Sequence, residues 1–287
     1  MPILDVERLR AYSVPDCRDD YDARDTILYA LGTGAGLSDA VDELHLLFER
    51  NLVALPTKAL VLGTPGFWLM DPKVGLDWPQ ILHGEQSLKL FRPLEPQGSI
   101  LGRTRIGDIA DKGPGKPALF RAHRTLETMS GTPVAELDET WVLRGMGGFG
   151  GDRNLPEVPQ VPVPQGDADA WLDLPTARNQ AALYRLTGDR NPLHVEASTA
   201  KLGGFERPIL HGLATMGLVG RAIIHLCAEG NPQRLSSIKL RFTAPVYPGE
   251  TVRTEVWRHP DGILFRASSV ERGIMVIDGG LATIDAF

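Results

Sequence analysis

The stretch SIKLRFTAPVYPG at residues 237–249 decides how this chain is organised, because a similar stretch occurs a second time. Residues 87–98 read SLKLFRPLEPQG, and both stretches combine an alternating strand with a proline and a turn rich in Pro and Gly. A second echo relates YALGTG at 29–34 to YRLTGD at 184–189. The offsets of the two echoes, 150 and 155 residues, predict an ancient duplication.

A proline-rich segment separates the two repeats. Residues 152–166 read DRNLPEVPQVPVPQG, and their prolines favour an extended, semi-rigid chain. We therefore predict an N-terminal domain at 1–151, a linker at 152–166 and a C-terminal domain at 167–287. Each domain has a Leu-rich helical segment followed by alternating strands, an order that is typical of α+β folds.

The second half contains the clearest helix. Residues 208–230 read PILHGLATMGLVGRAIIHLCAEG, with apolar residues at helical spacings and several small residues between them. The small residues permit a close approach to a sheet, and Gly230 begins the run that ends the helix. Four alternating strands follow, so we predict an antiparallel sheet that wraps around this helix.

Composition excludes several classes of protein. The chain has 43% hydrophobic and 23% charged residues and a net charge of −6, which fits a soluble globular protein and lacks the basic excess of a nucleic-acid binder. It shows no signal peptide and no apolar run long enough for a membrane span. The two cysteines form no C-x-x-C pair and fit a reducing compartment. We therefore expect a cytoplasmic protein without a nucleic-acid or membrane partner.

Two patterns suggest cofactors that the context argues against. The run GMGGFG at 145–150 matches a dinucleotide fingerprint, but a proline-rich segment follows it where that fingerprint requires a helix. The histidines His194, His211 and His225 are too scattered for a zinc pattern. We therefore expect no bound metal and no dinucleotide cofactor.

The run GDRNPLH at residues 188–194 is the main candidate for a functional site. Asp189 and His194 can both move protons, and Asn191 and Pro192 lie on the turn between them. The same residues also suit a structural turn, because Asp and Asn bond to their own backbone and a lone His is more often structural. Residue chemistry by itself leaves both interpretations open.

The wider sequence resembles a known enzyme family. The runs YRLTGDRNPLH, PILHGL, KLRF and PVYPG in the second half resemble the MaoC-like hydratases, which are (R)-specific 2-enoyl-CoA hydratases, also called hydratase 2. In the first half, YALGTGAG, LPT, LHGEQ, DKG and GGFGG resemble the two-domain form found in peroxisomal multifunctional enzymes. The resemblance covers nearly the whole chain. It implies a double hotdog fold, in which two tandem repeats, each an antiparallel sheet around a central helix, form one continuous sheet.

The resemblance also implies an activity in fatty acid metabolism. The reaction is the reversible syn hydration of trans-2-enoyl-CoA to (3R)-3-hydroxyacyl-CoA. Asp189 and His194 would activate the water, and the backbone N–H of Gly212 would stabilise the oxyanion. The substrate is expected to contact a further set of residues: His83, Gly84, Lys112, Arg190, Asn191, Pro192, Leu193, Phe242 and Glu49. Two residues fewer separate Glu49 from the LPT run here than in the family.

Some of these assignments have structural alternatives. Gly212 also suits close helix packing, Lys112 a solvated loop and Phe242 a core position. The first half has Gly34 where the second half has Asp189, so we expect one active site per chain. A long acyl tail is expected beside Leu46, Leu47 and Phe48, where the helix of the first half can loosen.

Two rival functions share many of these features. A hotdog thioesterase would use a carboxylate and similar CoA contacts but would hydrolyse the thioester. A non-catalytic acyl-CoA-binding subunit is the second alternative. For the hydratase we expect a homodimer and no cofactor beyond the CoA of the substrate.

Overall fold

Ten strands form the framework of the protein, whose computed structural model describes residues 3–158 and 161–285. The first half contributes β1 (Cys17–Tyr21), β2 (Ile81–Leu90), β3 (Gly98–Asp111), β4 (Ala118–Thr128) and β5 (Pro133–Leu143). The second half contributes β6 (Ala170–Pro175), β7 (Leu235–Phe242), β8 (Thr251–His259), β9 (Gly262–Ser269) and β10 (Ile274–Ile284). All neighbouring strands for which a register is recorded run antiparallel.

The order of the strands repeats between the halves. The sheet runs β1-β3-β4-β5-β2-β7-β10-β9-β8-β6. From each outer edge inward, the first half reads β1-β3-β4-β5-β2 and the second half reads β6-β8-β9-β10-β7. Each strand of one half therefore has a counterpart five strands later in the chain, which is the duplication that the sequence predicts.

The two echoed stretches lie at the centre of this sheet. Strands β2 and β7 pair antiparallel, with Leu88 opposite Ile238, Ser87 opposite Lys239 and Lys89 opposite Ser237. This register places SLKL and SIKL face to face around an approximate twofold axis. Leu88 and Ile238 point into the core, where they are 2% and 1% exposed. The apolar positions of the repeated pattern thus join the two halves.

Six α-helices complete the described chain. They are α1 (Val6–Ala11), α2 (Ala23–Gly32), α3 (Leu44–Leu47), α4 (Gln180–Tyr184), α5 (Ala197–Leu202) and α6 (Gly212–Cys227). Every residue of α6 from 214 to 224 is buried, so α6 is the central helix that the sequence predicts for the second half. None of the helices in the described residues has the length and hydropathy that crossing a membrane requires.

Two of the small residues of α6 approach the first half of the chain, whereas Gly212 approaches Phe242 of β7. A Cβ atom at Gly217 would clash with Cγ2 of Thr33, and one at Gly220 would lie 3.1 Å from Cγ2 of Thr57. The predicted close approach to a sheet is found at Gly212, and the approach of Gly217 and Gly220 to Thr33 and Thr57 is a further contact that the sequence does not predict. The close packing holds α6 against segments that precede β2.

The first half has no long helix equivalent to α6 in the described residues. A 3-10 helix, Pro56–Val61, contacts α6 in its place, and all six of its residues are buried. A long helix cannot fit here, because Pro56 and Gly63 lie only seven residues apart and Gly63 adopts a positive φ of 59°. The α+β double hotdog is thus confirmed as the fold, with the central helix of the first half replaced by shorter turns.

The proposed linker contains no helix or strand in its described residues, and Pro159 and Gln160 lie outside them. Val163 packs with Trp257 and Leu264, so the end of this segment is held against the second half. The domain boundaries at 151 and 167 remain predictions.

Candidate active site

A cavity of about 210 Å³ lies where the two halves meet. The first half contributes side chains from β2, β5 and the segment before β2, and the second half contributes the 188–194 turn, the start of α6 and the chain after β7. The cavity reaches the surface at Thr243, which is exposed. Its lining includes these predicted site residues: His83, Asp189, Asn191, Leu193, His194, Gly212 and Phe242.

Side-chain oxygens shape the turn that carries Asp189 and His194. Oδ1 of Asp189 accepts a hydrogen bond from the backbone N–H of Asn191 at 3.0 Å. Oδ1 of Asn191 in turn accepts from the backbone N–H of Leu193, also at 3.0 Å. The short 3-10 helix Pro192–His194 then carries His194 back toward Asp189. Asn191 therefore shapes the turn, which is one of the two roles that its sequence position suggested.

Two buried histidines stack beside Asp189. The rings of His194 and His211 have centroids 3.6 Å apart and planes 26° apart. Nδ1 of His194 lies 2.9 Å from the carbonyl oxygen of Ile209. A carbonyl oxygen can only accept, so Nδ1 must carry the proton, which leaves a lone pair on Nε2. One ligating atom from each of Asp189, His194 and His211 lies within 4.8 Å of the others. The three side chains therefore form one compact cluster.

The same cluster corrects one sequence expectation. The spacing of His194 and His211 in the sequence does not fit a metal pattern, but the fold brings the two rings together. His225 does belong elsewhere, since its Nε2 lies 3.2 Å from Oε1 of Glu43. One carboxylate and two imidazoles are donor types that zinc accepts. The expectation that the protein binds no metal remains a prediction.

Burial keeps both stacked histidines neutral. Burial lowers the pKa of His194, although the charge of Asp189 and the bond to Ile209 oppose this effect. Burial and the neighbouring His194 lower the pKa of His211 well below its ordinary value. Nε2 of His211 donates to the backbone carbonyl of Asp189 at 3.2 Å, and its Nδ1 is buried without a partner among the described residues. A neutral His194 can accept a proton through Nε2.

The first turn of α6 supplies a donor to the same cavity. Gly212 is the first residue of this 16-residue helix, and its backbone N–H has no acceptor in the described part of the chain. The N-terminal N–H groups of a helix carry a partial positive charge that favours anions. A Cβ atom at this position would lie 3.2 Å from Cζ of Phe242. A glycine therefore keeps the N–H accessible and leaves room for the Phe242 ring.

The first half places an aromatic wall opposite the turn. The His83 ring stacks on Trp141 with centroids 4.5 Å apart and meets Phe242 edge-on at 5.1 Å. The register between β2 and β5 shifts between His83 and Glu85, so Gly84 lies in a bulge. A Cβ atom at Gly84 would lie 2.9 Å from Cγ2 of Val142. The structure therefore gives Gly84 a packing role that positions His83, and Gly84 itself does not line the cavity.

Several predicted contact residues lie away from this cavity lining. Glu49 is exposed, and the buried acid of that region is Glu43, which pairs with Arg221. Lys112 is bonded through Nζ to Oδ1 of Asn154 at 2.7 Å, and Arg190 is exposed. Pro192 shapes the turn without lining the cavity. Glu49 thus does not line this cavity, and contacts of Glu49, Lys112 and Arg190 with the substrate remain predictions.

The residues predicted to lie beside the acyl tail are separate from this cavity. Leu46 is 2% exposed and belongs to the hydrophobic core, whereas Phe48 is 38% exposed. Neither these residues nor Leu47 lines the cavity at the site. Phe67 and Trp141 are among the residues that line the cavity, and a contact of the acyl tail with Leu46, Leu47 and Phe48 remains a prediction. The sequence contains no local signal for these two aromatic residues, because the pairing of β5 with β2 places Trp141 beside His83 and the loop before β2 brings Phe67 to within 5.8 Å of Trp141, measured between ring centroids.

Comparisons with known proteins identify the family of this chain. The model of the MaoC like domain matches residues 160–279, and the model of the MFE-2 hydratase 2 N-terminal domain matches residues 20–145. The chain is 42% identical over 268 residues to 3-hydroxyacyl-thioester dehydratase Y of Mycobacterium tuberculosis, covering 90% of this chain and 91% of that protein. The chain belongs to the MaoC-like hydratase 2 family.

Other members of the family match over the full length. A probable enoyl-CoA hydratase 2 of Dictyostelium discoideum is 36% identical over 295 residues, covering 98% of this chain and 97% of that protein. The crystal structure of a MaoC-like dehydratase from Phytophthora capsici superposes with a TM-score of 0.83 and 33% identity, covering 99% of this chain and 100% of that one. The family resemblance that the sequence motifs indicate is therefore confirmed for both halves.

Proposed function

We propose that this MaoC-like chain catalyses the reversible syn hydration of trans-2-enoyl-CoA to (3R)-3-hydroxyacyl-CoA. The observation that supports it most directly is the cluster of Asp189, Nε2 of His194 and the free N–H of Gly212 around one cavity. Addition of water to an enoyl thioester requires a base for the water, a donor for the thioester oxygen and a proton for C2. The three groups match these requirements.

The positions of the groups suggest how the reaction proceeds. Asp189 and His194 hold one water between them, and one of the pair removes a proton as the water oxygen attacks C3. The electrons move to the thioester oxygen, which the N–H of Gly212 and the positive end of α6 stabilise. The captured proton then returns to C2 while the hydroxyl stays on C3. Both additions occur from the side that carries Asp189 and His194, which gives the syn outcome.

The family relatives support this choice of reaction. Dehydration of a 3-hydroxyacyl thioester, the reaction named for the Mycobacterium relative, is the reverse of enoyl thioester hydration. The Dictyostelium relative is named for the hydration itself. We further propose a homodimer in the cytoplasm that acts in fatty acid metabolism without a bound cofactor, with CoA entering as part of the substrate. Light scattering of the purified protein tests the homodimer.

A direct assay tests the reaction. The purified protein is mixed with trans-2-butenoyl-CoA, the loss of enoyl absorbance is followed, and the product is resolved by chiral chromatography. We expect hydration to the 3R product. Release of free thiol would instead indicate a thioesterase, and binding without turnover would indicate an acyl-CoA-binding subunit. A product that is mainly 3S would contradict the proposed stereochemistry.

One substitution connects the assay to the site. Asp189→Asn keeps an amide oxygen that can accept from the N–H of Asn191, so the turn survives, but the carboxylate is lost. We expect kcat to fall by about 10²–10⁴-fold, the usual contribution of a general acid or base. Thermal unfolding should change little, because the hydrogen bond of the turn is retained. Near-normal turnover in this variant would remove Asp189 from the mechanism.

A further inference from the structure

A second, smaller cavity of about 50 Å³ adjoins the active site on the side of the first half. The two cavities share walls formed by these side chains: Phe67, His83, Trp141, Asp189 and Leu213. The remaining wall comes from the segment that replaces the helix of the first half and from strands β3, β4 and β5. Leu60, Val61 and Trp68 in this wall are all buried. We call this smaller cavity the inner compartment, because these three core residues line it, whereas the exposed Thr243 lines only the larger cavity.

The inner compartment contains a buried ion pair on the sheet. Nη2 of Arg124 lies 3.3 Å from Oε1 of Glu139, and the side chains are 3% and 10% exposed. Nη2 of Arg124 also donates to the carbonyl oxygen of Leu60 at 2.7 Å. Thr104 lies directly opposite Arg124 in the pairing of β3 with β4, and Thr104 also lines the compartment. These polar side chains form one patch on the inner face of the sheet.

Arg124 and Glu139 occupy inward positions of β4 and β5, where most of the other side chains are apolar. The other inward positions of β4 are Ala118, Phe120, Ala122 and Leu126, and those of β5 include Ala135, Leu137 and Leu143. Removing two charges from water is costly, and apolar residues of similar size often give equal or greater stability. An ion pair in these two apolar rows is therefore poorly explained by stability alone.

Arg124 also retains an unused donor. Its Nε is buried and has no hydrogen-bond partner among residues 3–158 and 161–285. A buried N–H without an acceptor costs about 1–3 kcal/mol. Because Arg124 lines the compartment, an oxygen atom of a bound molecule could remove this cost. Glu139 lines the same compartment and offers an acceptor to a hydroxyl group.

We propose that the inner compartment binds the far end of the acyl chain and selects chains that carry an oxygen group there, an alcohol in particular. This inference rests on the proposed function. The thioester lies at Gly212, the CoA portion leaves through the outer cavity, and the acyl chain passes Asp189 toward Arg124 and Glu139. A hydroxyl can accept from Arg124 and donate to Glu139. A carboxylate would face the negative charge of Glu139, so it is disfavoured.

Matched substrates test this selection. Pairs of trans-2-enoyl-CoAs of equal length, one ending in a methyl group and one in a primary hydroxyl, are compared from four to twelve carbons. At the length that reaches Arg124, we expect kcat/KM of the hydroxylated substrate to exceed that of its partner by about tenfold or more, since unpaired polar groups in a site discriminate strongly. The shortest methyl-ended substrate does not reach the patch and serves as a reference.

Two double variants assign the selection to the ion pair. Arg124→Met with Glu139→Leu removes both charges together and should reverse the preference toward methyl-ended chains. Arg103→Met with Glu127→Leu is the matched control, because that ion pair also joins two neighbouring strands of the sheet, β3 and β4, but from partly exposed positions outside the compartment. The control should keep the preference of the wild-type protein. An unchanged preference in the first variant would overturn the inference.

Binding measurements separate this inference from the proposed reaction. Calorimetry with saturated acyl-CoAs, methyl-ended or hydroxyl-ended, measures the preference of the wild-type protein without any turnover. Tighter binding of the hydroxylated ligand without hydratase activity would refute the reaction but support the inner compartment. Hydratase activity with equal or weaker binding of hydroxylated ligands at every length would refute the compartment and leave the reaction standing.

Discussion

At the scale of single residues, Gly212 supplies a backbone N–H donor and leaves space for the Phe242 ring, and any side chain at this position would disturb both. Gly212 lines the cavity with an N–H that has no acceptor in the described residues, and a Cβ atom would lie 3.2 Å from Cζ of Phe242. We expect Gly212→Ala to lower kcat by about 10–100-fold, somewhat less than the complete loss of an oxyanion donor. Alanine is a better helix former than glycine, which offsets part of the steric cost, so stability should change little.

A second glycine of the same helix provides the control. A Cβ atom at Gly220 would lie 3.1 Å from Cγ2 of Thr57, a similar crowding, but Gly220 does not line the active-site cavity. Gly220→Ala should change stability and leave kcat within about twofold, because residues without cavity contacts act mainly through folding. Equal losses of kcat in both variants would mean that Gly212 acts only through packing.

The buried His194 predicts the acid side of the pH profile. Its pKa is lowered by burial, so the ring is neutral at pH 7 and becomes protonated only below its ordinary value of about 6.5. Protonation removes the lone pair of Nε2. We therefore expect kcat/KM to be flat near neutral pH and to fall at a pH below about 6.5, because kcat/KM reports the free enzyme.

The Asp189→Asn variant tests the direction in which the acid limb of this pH profile shifts. The charge of Asp189 raises the pKa of His194, so its loss should move the residual acid limb to still lower pH. The measurement is the pH dependence of kcat/KM for the wild-type protein and this variant with the same short enoyl-CoA. A limb that moves upward in the variant would show that another group controls it.

Sequence reasoning reached only part of the site at this scale. Asp189, His194 and Gly212 lie within two short motifs whose local geometry the turn and the helix start determine, and all three line the cavity. The stacking of His211 on His194 and of Trp141 on His83 joins residues that are distant along the chain or lie on paired strands. Such contacts depend on the register of the fold, which no local pattern specifies.

At the scale of elements, α6 carries a buried charge into the first half. The guanidinium of Arg221 donates to both carboxylate oxygens of Glu43, at 2.7 and 2.5 Å, and to the carbonyl oxygen of Thr33 at 2.6 Å. Burial alone would raise the pKa of Glu43, but bonds from His225 and Arg221 hold it at about 2. This pair ties the central helix to the segment that follows α2.

Removal of one partner should therefore destabilise the protein strongly. Arg221→Met leaves Glu43 charged and buried, with an expected cost of about 3–5 kcal/mol in the free energy of unfolding. Denaturation by urea measures it. The double variant with Glu43→Gln should recover part of the loss, because no buried charge remains unpaired. Arg18→Met, which breaks an exposed pair with Asp20, should cost less than about 1 kcal/mol.

The pKa of Glu43 also fixes the sign of a pH effect. Its folded value of about 2 lies below the unfolded value of about 4.3, so the pair contributes its full stability above the unfolded value. That contribution should be lost as the pH falls from about 4.3 toward 2. The wild-type protein should therefore lose more stability over this range than the double variant. Parallel losses in both proteins would assign the acid sensitivity to other groups.

The elements themselves were predictable to different degrees. The sequence predicts helix α6 from its small residues and its Gly-Asn-Pro stop. It does not predict the contacts of α6 with Thr33 and Thr57, because these two residues lie far away along the chain. The missing helix of the first half is explained by the short interval between Pro56 and Gly63. The sequence alone does not show that this interval prevents a long helix. A Leu-rich stretch that starts with a proline is also compatible with one, because a helix can begin at a proline.

At the scale of the whole molecule, the duplication produces two related places for a site. The echo that pairs YALGTG with YRLTGD is a contact in the folded protein, because Tyr29 and Tyr184 lie with ring centroids 5.9 Å apart. The approximate twofold axis between β2 and β7 therefore relates the surroundings of Asp189 to those of Gly34. The two places differ in what fills them.

The surroundings of Gly34 contain an ion pair, whereas the related surroundings of Asp189 contain the active-site cavity. Gly34 adopts a positive φ of 87°, and a Cβ atom there would lie 3.3 Å from Nη1 of Arg221. The Arg221 side chain is 1% exposed and fully engaged with Glu43 and Thr33. Because this pair fills the region that corresponds to the active-site cavity, we expect one acyl-CoA per chain.

Calorimetric titration with a saturated acyl-CoA should give a stoichiometry of one per chain, and Asp189→Asn should keep that stoichiometry because it only removes a charge. Two equivalent sites per chain would show that the ion pair opens on binding, and would contradict the prediction that only the second half carries an active site.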